Sequence, residues 1–83
     1  MIVDDFFQSS QVIKTYLGFD FYLAETPCDP YPYRVRITKS GEPPTEQYWL
    51  GGFASRNQEE LERLLVSYEK IVEQMHLKAC LQL

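Results

Sequence analysis

The chain is poor in the side chains from which catalytic and metal centres are usually assembled. Its 83 residues hold one histidine and two cysteines. Cys28 and Cys80 stand far apart, one in a loop and one near the chain end. A disulfide framework would need a secreted context, and a zinc site would need more ligands at the usual spacing. Both cysteines therefore read as reduced thiols, and neither a metal nor a cofactor is expected. His76, alone near a helix end, reads as structural or solvated. No nucleophile, base and orienting group can be put together from one histidine and two scattered cysteines, so no enzymatic activity is expected. Long apolar runs are missing too. None approaches the ~20 residues of a membrane span, which argues against a membrane partner. Met1-Ile2-Val3 runs straight into Asp4-Asp5, the wrong charge for a secretory leader, so the expected location is the cytoplasm. A basic surplus is also lacking: eight Lys and Arg face twelve Asp and Glu, a net charge of −4. Phosphate contact supplies most non-specific affinity for nucleic acid, so this balance disfavours a nucleic-acid partner.

What the chain does have is a change of hydrophobic period near residue 54. Before it apolar residues alternate in twos; after it they recur every three or four. Leu61, Leu64, Leu65, Tyr68, Ile71, Val72, Met75 and Ala79 fall on one helical stripe at roughly 100° per residue. No Gly or Pro follows Ser55, so nothing ends the helix early, although the state of residues 77–83 stays open. Two capping boxes compete for its start, Ser55 with Gln58 and Asn57 with Glu60. Glu59, Glu60 and Glu62 suit the positive end of the helix dipole, and His76 and Lys78 the negative end.

Upstream, Ile13, Leu17, Phe19, Phe21 and Leu23 alternate with Lys14, Tyr16, Asp20 and Tyr22, the pattern of a half-buried strand. Gly18 marks a bulge in it or divides it in two. After a loop with Pro27, Pro30 and Pro32, Tyr33, Val35 and Ile37 alternate with Arg34, Arg36 and Thr38 as a second strand. Ser40-Gly41-Glu42-Pro43-Pro44 must turn, and Gln47 to Phe53 is expected to form the last strand, loosened by Gly51-Gly52. Residues 1–11 read as helix or strand, with Asp4 able to cap a short helix carrying Phe6 and Phe7. The expected fold class is α+β: one domain over residues 1–83, an antiparallel sheet of three or four strands packed on one long C-terminal amphipathic helix.

Charge is unevenly spread. Residues 1–30 hold one Lys against five carboxylates, residues 31–50 three basic against two acidic groups, and residues 51–83 four against five. The one local basic surplus lies on the strand with Arg34, Arg36 and Lys39. Arg34-Val35-Arg36-Ile37, a turn, Tyr48-Trp49-Leu50-Gly51-Gly52-Phe53 and an acid-rich helix together resemble two related families. These are the plant APETALA-type DNA-binding domain and the arm-site-binding domain of phage integrases. The resemblance covers about residues 33–75. It implies three strands on one helix, with the sheet face opposite the helix reading DNA through Arg34, Arg36 and Trp49. The net charge departs from that pattern, Asp20 and Glu46 fall on the same face, and the aromatic-rich first thirty residues have no counterpart in it.

Two surfaces point instead to a protein partner. Tyr16, Tyr22, Tyr31 and Tyr33 gather around the first two strands, and tyrosine beside arginine is the composition of interface hot spots. The candidate partner-binding residues are Tyr16, Tyr22, Tyr33, Arg34, Arg36 and Trp49, with Tyr16, Tyr22, Arg34 and Arg36 expected to share one open face. Val66, Leu77 and Leu81 lie on the back of the helix, where polar residues belong, and form a second candidate surface for a partner or a homodimer. The expected function is a small acidic binding protein that regulates or inhibits a protein partner. In size and composition it resembles phage and mobile-element accessory proteins, including anti-defence inhibitors such as anti-CRISPR proteins. A DNA-binding module using the sheet face and a structural homodimer subunit are the alternatives.

Overall fold

The structure, a computed structural model, describes residues 10–81. Whether residues 1–9 form helix or strand, and whether Asp4 caps a helix with Phe6 and Phe7, lies outside the described residues.

Strands β1 (Gln11–Tyr16), β2 (Phe19–Glu25), β3 (Tyr33–Lys39) and β4 (Gly51–Ser55) form one antiparallel sheet in the order β1-β2-β3-β4, followed by helix α1 (Gln58–Leu81). This is an α+β arrangement, with the helix packed on one sheet face. Gly18 divides the first apolar run rather than bulging it. Leu17 and Gly18 both adopt positive φ, 50° and 83°, the backbone of a two-residue hairpin whose twist matches the strands it joins. The bulge falls elsewhere, at Ile13, where the register shifts between Val12 and Lys14.

That two-residue turn sets which side chains face the helix. Tyr16 pairs with Phe19 and Lys14 with Phe21, so on the hairpin side of the bulge the even-numbered residues of β1 share a face with odd-numbered residues of β2, while beyond it Val12 falls with Tyr22. From β2 onward the registers, such as Phe21 with Ile37 and Val35 with Phe53, join odd to odd. The face under α1 therefore carries Phe19, Phe21, Leu23, Tyr33, Val35, Ile37 and Phe53, and with them Tyr16. Phe21, Val35 and Ile37 close into a core with Leu61 and Val72 of α1, and Leu65, Tyr68 and Met75 pack against it. Ile13 and Leu17, expected in the core, are exposed: one sits at the bulge and the other at the hairpin tip.

The last strand starts later than Gln47. Pro43-Pro44 keeps the chain out of the ladder, and the Thr45 carbonyl accepts hydrogen bonds from the N–H groups of Tyr48 and Trp49, a helix-like turn. The pairing with β3 covers Gly51 to Ser55. Gly51 and Gly52 therefore open the strand rather than close it. Gly52 has a steric reason to be there, since a Cβ at this position would lie 2.2 Å from the Val35 carbonyl oxygen. Its own carbonyl accepts a hydrogen bond from the Tyr68 hydroxyl at 3.1 Å, and Tyr68 stacks obliquely on Phe53 with ring centroids 4.6 Å apart.

Of the two candidate caps, Asn57 is the one used: its Oδ1 accepts from the Glu60 N–H at 2.8 Å, satisfying a donor that the helix leaves unpaired. The Glu60 carboxylate accepts from the Arg56 N–H, one residue before the cap, so the bond back toward the cap is shifted by one residue. Ser55 is buried instead, under the helix start, and its hydroxyl finds no partner among the described residues. Two members of the expected stripe, Ile71 and Ala79, are exposed. The helix stays regular through Leu81. At 24 residues it is about 36 Å long, whereas strands of five to seven residues span about 16–23 Å. Its last turns run past the hairpin end of the sheet. Among the described residues no helix is long and apolar enough to cross a membrane.

Candidate protein-binding surface

The side chains of β2 and β3 that point away from α1 are Asp20, Tyr22, Ala24, Arg34, Arg36 and Thr38, with Gly52 and Ala54 opposite them on β4. A bare sheet face would leave these exposed. Here the segment between β3 and β4 folds back over one end of it. Asp20 is the clasp: its carboxylate accepts from Thr15 Oγ1 at 2.8 Å, Ser40 Oγ at 3.1 Å and the Gly41 N–H at 3.3 Å. The Thr38 and Tyr22 hydroxyls both donate to the Glu42 carbonyl, at 3.0 and 3.4 Å. Thr38 is fully buried as a result, and Pro44 is buried beside it.

Arg36 carries the next step of the loop. Its Nη1 donates to the Pro44 carbonyl at 2.8 Å, and its guanidinium lies 3.8 Å from the centre of the Trp49 ring. A planar cation stacked on an indole is attracted by the ring's negative face, and the hydrogen bond fixes the plane on which the indole rests. Trp49 is nonetheless 41% exposed, and its neighbours Tyr48 and Leu50 are exposed as well. Arg34 points outward from the same face and pairs with Asp29 at 3.1 Å, an exposed ion pair worth about 0–1 kcal/mol. Tyr31 is exposed, and its N–H is held by the same Asp29 carboxylate at 2.9 Å. Val12, paired with Tyr22, adds an exposed apolar side chain on this face.

Four of the expected binding residues, Tyr22, Arg34, Arg36 and Trp49, thus share the face opposite α1. Tyr16 and Tyr33 do not. Both pack against the core on the helix side, because the hairpin inverts the parity of β1 and because Tyr33 continues the inward row of Val35 and Ile37. The Tyr16 hydroxyl donates to Glu73 at 2.7 Å, and that bond to the carboxylate, followed by the slight burial of the ring and the negative charges of Glu73 and Glu69, holds its phenol above the ordinary pKa of 10.0. Lys14 pairs with Glu69 one turn earlier, so β1 is tied to α1 by two polar contacts. Nor is the face open, since the loop bonds to Tyr22, Arg36 and Thr38. Tyr48 and Leu50 are the surface residues that sequence reasoning missed. Three consecutive large apolar residues cannot all point inward from one strand, and that run was the available signal.

On the back of α1, Val66, Leu77 and Leu81 are all exposed. Val66 is isolated, three turns before Leu77, with Lys70 and Glu73 between them on the same side. Leu77 and Leu81 sit together on the part of the helix beyond the sheet. Comparison of the chain with protein-family models, with curated proteins and with solved structures finds no match.

Proposed function

We propose that this chain is a small, acidic, non-enzymatic binding protein that attaches to a protein partner through the face opposite α1 and the β3–β4 loop, and thereby regulates or inhibits it. The observation that carries the proposal is the Trp49–Arg36 stack. A large aromatic held in place before binding loses little freedom when buried, and such side chains dominate interface energetics. Here the indole is stacked on a guanidinium that is itself bonded to Pro44, while the residue stays 41% exposed. Its chain neighbours Tyr48 and Leu50 are exposed, and Arg34 and Tyr31, both held by Asp29, add further residues of the types that interfaces favour. The net charge of −4 suits a basic partner surface, which would gain in association rate from electrostatic steering. The resemblance in size and charge to phage and mobile-element accessory proteins makes cytoplasmic host-defence proteins the first partners to assay.

The DNA-reading alternative is less well supported. Arg34 is committed to Asp29, and Arg36 to Pro44 and Trp49. The test is cross-linking capture from a native host with the wild-type chain and with Trp49→Ala and Arg34→Ala. A captured protein should lose at least about tenfold in affinity for Trp49→Ala, some 1.4–2 kcal/mol or more. Melting temperature should fall only slightly, because an exposed cation–π contact is worth about 0.5–1 kcal/mol. A partner that binds both variants as well as the wild type would remove the surface from consideration.

A further inference from the structure

We propose that His76 and Cys80 form half of a zinc site that a second copy of this chain completes. His76 and Cys80 stand four residues apart on α1, so their side chains leave the same side of the helix one turn apart. His76 Nε2 and Cys80 Sγ lie 3.8 Å from each other. Zinc–sulfur and zinc–nitrogen bonds of about 2.3 and 2.05 Å at a tetrahedral angle put the two ligand atoms about 3.6 Å apart. The pair is thus already spaced to chelate one ion from a single helix. One chain cannot finish the coordination: among the described residues no group of three or more His, Cys, Asp or Glu side chains is placed to hold a metal. A structural zinc site needs four ligands. Two copies supply two imidazoles and two thiolates, the Cys₂His₂ set, whose charges cancel those of Zn²⁺.

The surroundings identify the second occupant. At roughly 100° per residue His76, Cys80, Leu77 and Leu81 cover one continuous arc of about 140°. Leu77, Cys80 and Leu81 are exposed on the overhanging end of α1, and His76, on the side of the arc nearest Val72, is half-buried. Leu77 is 58% and Leu81 83% exposed. An electrically neutral metal centre flanked by leucines is compatible with burial, whereas a charged one would not be. Laying the same arc of two chains together buries the leucines and brings both ligand pairs to one point, a self-complementary contact of the kind that two-fold dimers use. Each coordinated thiol gives up its proton and each imidazole binds in its neutral form, so uptake releases protons and weakens as pH falls. This site is independent of the Trp49 surface, which lies on the other side of the sheet.

The experiment titrates the reduced, metal-free chain with Zn²⁺ in the presence of a phosphine reductant, following bound metal by chelator competition and mass by sedimentation. One Zn²⁺ per two chains is expected, with monomer converting to dimer over the same range. Co²⁺ in its place should give the intense visible bands of a tetrahedral thiolate site. Cys80→Ser should lose both metal uptake and the dimer, while Cys28→Ser, altering the exposed loop cysteine, should keep both. Circular dichroism on each variant checks that the helix is intact. Uptake of one Zn²⁺ per chain without a change in mass, a dimer that persists in chelator, or Cys80→Ser binding like the wild type would each overturn the proposal.

Discussion

Gly52 shows how a single residue can be dictated by its neighbour across the ladder. With the Val35 carbonyl oxygen 2.2 Å from where its Cβ would stand, Gly52→Ala must push β4 away from β3 and disturb the bond from Tyr68. We expect it to cost about 1–3 kcal/mol, the range for overpacking a close contact. Gly51→Ala, with nothing within 4 Å of its Cβ, should be close to neutral. Denaturant midpoints of the two variants make the comparison, and equal effects would mean that β4 is not held this tightly. Leu17 is the opposite case. It occupies a left-handed conformation at φ 50° that costs a non-glycine residue roughly 1–2 kcal/mol and that asparagine adopts more readily. Nothing in the structure explains why leucine stands there.

Among the elements, α1 was the most legible in the sequence, because its stripe of Leu61 to Met75 has a period that only a helix uses and its Asn57 cap is local. Leu61 and Val72 are buried as that stripe requires. Leu61→Ala should therefore cost about 2–5 kcal/mol, and Glu62→Ala, one residue on and exposed, less than about 0.5 kcal/mol. Similar losses for both in urea titrations would show that the helix presents a different face. The strands were legible as strands, but the faces of β1 were not. A two-residue turn continues the alternation of apolar and polar residues without a break, so Tyr16 and Tyr22 look equivalent in sequence although they project to opposite sides. The binding surface was half legible for a different reason. Arg34 and Arg36 alternate visibly, but the bonds from Asp20 to Gly41 and from Arg36 to Pro44 are long-range contacts that no local pattern encodes. The same bonds mean that Arg36→Ala would disturb the loop as well as any partner contact.

For the molecule as a whole, charge is the property that reaches furthest. A net of −4, with the clustered arginines already paired or stacked, leaves little to neutralise phosphates. We expect duplex DNA of random sequence to bind no tighter than about 10⁻⁴ M at physiological salt. A micromolar, salt-sensitive complex in a mobility-shift assay, lost on the double change Arg34→Ala and Arg36→Ala, would reverse the ranking of functions. Strand order has a different consequence, one of timing. Because β1 to β4 lie side by side in the order in which they are made, each can zip onto its predecessor as soon as it is synthesised, with no crossover to make and loops of two, seven and eleven residues to close, a topology of mostly local contacts that favours fast folding. The helix is different. Its contacts to β1, Lys14 with Glu69 and Tyr16 with Glu73, bridge 55 and 57 positions and must wait for nearly the whole chain. Until then Phe21, Val35 and Ile37 stand on an uncovered apolar sheet whose edges, among the described residues, are β1 and β4. The moment of greatest risk of aggregation during biosynthesis therefore comes just before α1 emerges.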